Sequence, residues 1–271
     1  ARLSFFTGVK AFYSPGGRFF MNISLLLFAA IFFISLLLTM VGLGGGLIFS
    51  PLFVVIGFPK AAAASASLFL NFIAAGSAAY AYTRKKMVDF TLSIPLIVSS
   101  SLAAPIGSYL NLHMATKPFV LIMAAVLALA GLRMLFSPAG EVEAGDIKPL
   151  KKLIGGIGIG AGTGLMGGLL GIGGGVFVVP LLIYVLKTPT RIAAASSTFI
   201  VCFSSLTGFI GFASMGAINW AFILPAAVAS FAGGQAGARL MSTRMKGKTI
   251  RIIFSIILFA FCAKLLHQYF T

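Results

Sequence analysis

The stretches "GLGGGLIFSP", residues 42–51, and "GIGGGVFVVP", residues 171–180, decide how this chain folds. Each ends a long apolar run with glycines, then resumes with apolar residues and a proline. Glycine reaches backbone geometries that other residues resist, and proline removes a hydrogen-bond donor, so each stretch interrupts a helix. The surroundings identify the solvent. The 271 residues are 59% hydrophobic with a mean hydropathy of +1.09, and only 9% are charged. A soluble domain carries about 25% charged residues. This chain cannot cover itself with polar groups and reads as an all-α polytopic membrane protein.

Apolar stretches lie at about 22–41, 47–58, 61–82, 91–112 and 118–136, then at about 153–170, 176–187, 192–214, 219–240 and 250–268. Most have the ~20 residues that cross a hydrocarbon core. The two just after the glycines have only about 12. Residues 1–20 carry Arg2, Lys10 and Arg18 among aromatics and read as an interfacial segment. A first transmembrane repeat then covers 21–136. The polar "SPAGEVEAGDIKPLKK" at 137–152 connects it to a second repeat at 153–271.

The halves match in order. Gly44, Gly45 and Gly46 align with Gly173, Gly174 and Gly175, and Pro51 aligns with Pro180. "AAAASAS" from Ala61 aligns with "RIAAASST" from Arg191, pairing Lys60 with Arg191 and Asn71 with Cys202. Further on, Pro105 pairs with Gln235 and Gly107 with Gly237. These anchors indicate an internal duplication. Charge tests its orientation. If each break only kinks a helix, basic residues divide 11 against 9; if each break turns the chain back, they divide 14 against 6. The second division obeys the positive-inside rule, giving ten segments and two odd, mutually inverted halves.

The net charge of +16 comes from 20 basic and 4 acidic residues. Its short clusters between apolar spans point to anionic membrane lipids as partners and away from nucleic acid. Asp89 follows a basic loop, while Glu141, Glu143 and Asp146 share the polar connection. No carboxylate lies within a span, where cation and proton carriers hold one. An anion is the easier cargo. Cys202 and Cys262 lie in apolar spans as small buried hydrophobes, giving neither a metal site nor a disulfide framework. "GTGLMG" at 162–167 fits a dinucleotide fingerprint but follows no strand. His113 and His267 have no acidic partner nearby in sequence. No catalytic residue and no cofactor is expected, and the chain reads as a non-enzyme.

A helix starting after such a break points free N–H groups and a positive dipole end at whatever faces it. Irregular backbone survives at membrane depth only inside protein or beside a water-filled cavity. Two such ends, from inverted halves, can hold a small anion between them. Candidate binding residues are therefore Gly44, Gly45, Gly46 and Pro51, with Gly173, Gly174, Gly175 and Pro180. Ser65, Ser67 and Asn71 follow the first break, and Ser196, Ser197 and Thr198 follow the second. Gln235 is an amide within a long span. Lys60 and Arg191 begin matching helices and are candidates for the two entrances. Each has a plainer use: glycines pack helices closely, hydroxyls bond back to their own helix, and long cations snorkel.

With its two "G[LI]GGG…P" elements, the small-residue helix after each, and "AINWAFILPAAVASFAGGQAGARL" from Ala217, the chain resembles the TauE/SafE, or sulfite exporter, family. The likeness runs from about residue 22 to near the end. It implies a multi-pass protein of a bacterial-type plasma membrane that transports sulfite, sulfoacetate or other organosulfonates. The glycines and prolines of the two elements are the positions it carries over. The first half departs from the pattern: "KMVDF" lacks the glycine and tryptophan of "MGAINW", and Pro105 stands where a small or polar residue is usual. An anion-selective channel and an intramembrane hydrolase are the alternatives to a carrier, and a homo-oligomer is compatible with either transport reading.

Overall fold

The computed structural model describes residues 17–136, 149–214, 220–243, 256, 259–267 and 269. The first half contains α1 (Gly17–Val41), α2 (Gly46–Ile56), α3 (Lys60–Arg84), α4 (Phe90–His113) and α5 (Thr116–Phe136). The second contains α6 (Pro149–Leu170), α7 (Gly175–Tyr184), α8 (Thr190–Ala213) and α9 (Trp220–Thr243), with residues 259–267 also helical. Among the described residues there is no strand, and 4 helices are long and apolar enough to cross a membrane. The protein is all-helical. On α4 the exposed Ile94, Val98, Leu102 and Ile106 recur every fourth residue, a continuous apolar stripe suited to lipid rather than water.

Two boundaries differ from the expectation. Residues 17–20 belong to α1, and the rest of the expected interfacial segment lies outside the described residues. Pro149 opens α6, where its fixed φ and missing N–H suit a first turn, so "PLKK" belongs to that helix. Residues 137–148 of the polar connection, and much of the last apolar stretch, lie outside the described residues.

The halves interleave. α1 packs along α9, and α6 packs along α4. A side chain at Gly237 would strike the Leu36 carbonyl, and one at Gly107 would strike the Leu165 carbonyl, so both approaches need glycine. α3 meets α9 where Ser230 Oγ donates to the Leu70 carbonyl (2.7 Å) and Ser77 Oγ to that of Phe231 (3.1 Å). α4 meets α8 in the same manner, Ser108 Oγ donating to the Gly208 carbonyl at 2.8 Å. Exchange of the halves maps this packing onto itself.

Helix directions follow from which residues touch. Along α4 and α6, Leu96 lies by Gly160, Ser100 by Gly164 and Ala104 by Gly168, so these helices run parallel. Between α3 and α8 the order reverses: Leu68 clusters with Phe209 and Phe212, whereas Ala78 and Tyr82 cluster with Ala195. The two equivalent helices, α3 and α8, therefore run antiparallel through the centre.

Helix starts also correct the pairing of the halves. Pro59 precedes α3 with φ −55 and ψ 142, and Pro189 precedes α8 with φ −53 and ψ 139. That geometry equates Lys60 with Thr190 and Asn71 with Val201, one residue from the pairing with Arg191 and Cys202. Alignment by residue similarity matched two cations; the proline caps override it.

Candidate functional site

Both breaks begin with the same helix stop. Leu43 N–H donates to the Leu38 carbonyl (3.0 Å), and Ile172 N–H to that of Gly167 (3.0 Å). Each bond spans the left-handed Gly42 (φ 83) or Gly171 (φ 71), the arrangement that ends a helix by folding the chain back on its last carbonyls. α2 and α7 then start within a few residues. Pro51 and Pro180 lie inside them, Pro51 buried and Pro180 half-buried, each leaving the carbonyl four residues earlier without its helical donor.

The breaks cross directly. A Cβ on Gly46 would lie 2.6 Å from the Ile172 carbonyl oxygen, and one on Gly175 would lie 2.5 Å from that of Leu43. Gly42 presses on Ala194 of α8 and Gly171 on Ala64 of α3, again exchanging the halves. The crossing lies about midway along α3 and α8, at Asn71 and Val201, a depth at which free backbone groups must find partners inside the protein.

At both breaks those partners are side chains. Asn71 Oδ1 accepts from Gly45 N–H and from Gly46 N–H (3.0 Å), while its Nδ2 donates to Ser205 Oγ on α8 (2.7 Å). Ser67 Oγ donates to the Gly171 carbonyl (2.6 Å) and reaches that of Gly46 (3.3 Å). Ser50 Oγ donates to the Leu170 carbonyl (2.6 Å), and Ser204 Oγ to that of Gly173 (3.0 Å). All four serines and Asn71 are buried. The candidates Gly44, Gly45, Gly46, Ser67, Asn71, Gly173, Gly174 and Gly175 thus share one region.

Others fall elsewhere. Thr198 Oγ1 bonds back to the Ala194 carbonyl at 2.9 Å, its plainer use. Ser196 Oγ accepts from Asp89 N–H (3.0 Å) at the start of α4, whose first turn the Asp89 carboxylate caps through Leu92 N–H (3.1 Å). Lys60 Nζ donates to the carbonyls of Asn111 and Met114, satisfying the end of α4. It lies about 16 Å of helix from Asn71. Arg191 is exposed, and Gln235 is half-buried on α9 next to Gly234, which packs on Ala74 and Ser77 of α3. Ser65 and Ser197 are buried with hydroxyls that have no hydrogen-bond partner. "GTGLMG" lies inside α6, where Thr163 Oγ1 bonds back to the Ile159 carbonyl (2.7 Å).

Sequence reading missed Ser50, Ser204 and Ser205. The helical spacing of Ser197, Val201, Ser204 and Ser205 puts them on one face of α8, a signal that was available. Among the described residues no group of three or more His, Cys, Asp or Glu side chains could hold a metal, and Cys202 and Cys262 are both buried.

The sulfite exporter TauE/SafE family model matches residues 27–265. The probable membrane transporter YunE of Bacillus subtilis is 26% identical over 254 residues, covering 85% of this chain and 92% of that protein. A probable membrane transporter of Xylella fastidiosa (strain Temecula1) is 26% identical over 235 residues, covering 82% and 87%. MamO of Magnetospirillum gryphiswaldense, a probable membrane transporter, is 33% identical over 116 residues, only 18% of its length and 40% of this chain. No solved structure matches the chain. Matched along nearly its whole length, and built of apolar helices whose backbone opens at one buried crossing, this chain belongs to the TauE/SafE sulfite exporter family and is a membrane transporter rather than an enzyme.

Proposed function

We propose that this transporter carries a small sulfur-containing anion, such as sulfite, sulfoacetate or another organosulfonate, by alternating access around the crossed breaks. One observation carries the reading: the first turns of α2 and α7 begin at a single buried crossing between the halves. Sulfonate and sulfite oxygens accept hydrogen bonds, and helix starts supply donors and a positive dipole end. Among the described residues the one acidic side chain, Asp89, caps the start of α4 and is not among the groups that meet the breaks. The family's name supports sulfite within this class.

Opposite membrane orientation of the halves belongs to this reading. The antiparallel α3 and α8 support it, as does the 14-against-6 division of basic residues. The basic side then faces the cytoplasm of a bacterial-type cell, against anionic lipid. One helix terminus contributes roughly 0.3–1 kcal/mol when exposed and up to ~2 when partly buried. With a few neutral hydrogen bonds of about 1 kcal/mol each, binding falls in the micromolar-to-millimolar range. Weak binding suits a carrier, which must release its cargo.

The test is flux into liposomes containing the purified protein, with sulfite, sulfoacetate, thiosulfate, sulfate, taurine and acetate as probes. Saturable flux of sulfite or a sulfonate, blocked by an excess of the same unlabelled anion, is expected. Flux of acetate alone would overturn the substrate class, and large single-channel currents would overturn the carrier mechanism.

A further inference from the structure

The helices form two bodies, and these are not the two repeats. α1, α2 and α3 pack with α9 of the second half, whereas α6, α7 and α8 pack with α4 of the first. Serine bonds run inside each body: Ser230 to Leu70 and Ser77 to Phe231 in one, Ser108 to Gly208 in the other. Between the bodies runs one long seam, α3 against α8, while the consecutive helices α3 and α4 touch little.

Polar bonds join the bodies at the crossing, from Asn71 to Ser205, Ser67 to Gly171 and Ser50 to Leu170. On either side of it, apolar side chains close the seam. Leu68 meets Phe209 and Phe212 toward Lys60, and Ala195 meets Ala78 and Tyr82 toward the basic residues 84–86, all of them buried. Lys60 adds a link at one end. Its Nζ reaches from α3 to the Asn111 and Met114 carbonyls at the end of α4, in the other body. That end is fixed to its own body, because Asn111 Nδ2 donates to the Leu169 carbonyl on α6 (2.7 Å). The equivalent residue in the second half is Thr190, which carries no charge, and Arg191 after it is exposed.

We propose that these two bodies, not the two repeats, are the units that move in transport, and that Lys60 is a latch holding them shut on the side away from the basic clusters. This rests on the alternating-access reading above and supplies its moving parts. An ammonium bonded to two carbonyls holds more firmly than a neutral pair. It also lies about 16 Å of helix from the crossing, where rocking about that point separates the bodies most. With the latch at one end only, the resting protein opens preferentially toward the basic side.

Labelling of single cysteines by N-ethylmaleimide, in purified protein whose Cys202 and Cys262 are replaced, tests the latch. Leu68→Cys puts the thiol in the seam on the Lys60 side, and Ala195→Cys puts it on the basic side. Lys60→Met keeps the stem and removes the charge. It is expected to speed labelling at Leu68→Cys about tenfold, the worth of a hydrogen bond to a charged group. Labelling at Ala195→Cys should slow, because rocking that opens one side closes the other. Lys60→Arg, which can still donate to both carbonyls, should restore the original rates. Unchanged rates in Lys60→Met, or faster labelling at both positions, would overturn the latch. The bodies have their own test, which holds even if Lys60→Met fails to fold. A disulfide in Ser35→Cys/Ser230→Cys ties the two repeats together but lies within one body. Sulfoacetate flux into liposomes should survive its oxidation. Flux lost on oxidation and regained with reductant would mean that the repeats themselves move, leaving the carrier reading intact and this proposal refuted. No saturable flux by the wild-type protein would remove both.

Discussion

Alanine at Gly46 or Gly175 would have to share space with a backbone carbonyl of the opposite half, and no side-chain rotation relieves that overlap. Gly158 and Gly162 on α6 face nothing within 4 Å and carry helical backbone. There the same change only removes a flexible residue, a gain of up to about 1 kcal/mol. Thermal unfolding in detergent should therefore separate the glycines: Gly158→Ala holds or raises the midpoint, whereas Gly46→Ala and Gly175→Ala lower it sharply or prevent purification. An equal effect at both kinds of position would remove the crossing as described. Composition could not make this distinction. The run from Gly155 shows packing glycines and open ones alike, and only the neighbouring helix tells them apart: Gly160, Gly164 and Gly168 press on α4, whereas Gly158 and Gly162 are turned away. Asn71 was legible as a polar residue after the break, but its bond to Ser205 comes from another helix that local spacing does not reveal.

Between elements, the pairing of α1 with α9 is open to chemical test. Ser35 Oγ and Ser230 Oγ lie 3.1 Å apart across the two halves. In a background where Cys202 and Cys262 are replaced, the double variant Ser35→Cys/Ser230→Cys should form a disulfide after modest side-chain movement. Proteolysis within residues 137–148 should then leave the fragments joined until a reductant is added. Fragments that separate without reductant would refute this packing. Orientation needs a second measurement. Maleimide labelling of cysteines placed at Lys85 and at Lys246 should occur from the same, cytoplasmic side; labelling from opposite sides would remove the inverted halves. The breaks, the short helices after them and the duplication were all legible, because glycine stops and hydropathy are local properties. The partner of each long helix was not. Each half's first helix packs on the other half's fourth, and glycines at Gly107 and Gly237 mark a close approach without naming what approaches.

For the molecule as a whole, interleaving makes each half an incomplete structure. α1 and α3 bury small and hydroxylated faces against α9, and α6 and α8 do the same against α4. Residues 1–140 and 141–271 produced as separate chains should each fail to purify as a monodisperse species, while co-production should restore a complex with wild-type flux. A monodisperse, thermally cooperative single half would overturn this. The network around Asn71 has a historical consequence. Residues close to a two-fold relation are matched in a dimer of identical chains, so an ancestor of one repeat would have carried asparagine at both places or at neither. Asn71 at one place and Val201 at the equivalent place in the other half is a difference that only a fused gene can encode. Joining the repeats therefore did more than tie two subunits together: it let one of two equivalent places take an amide that caps α2 and bonds to α8, while its twin became a valine.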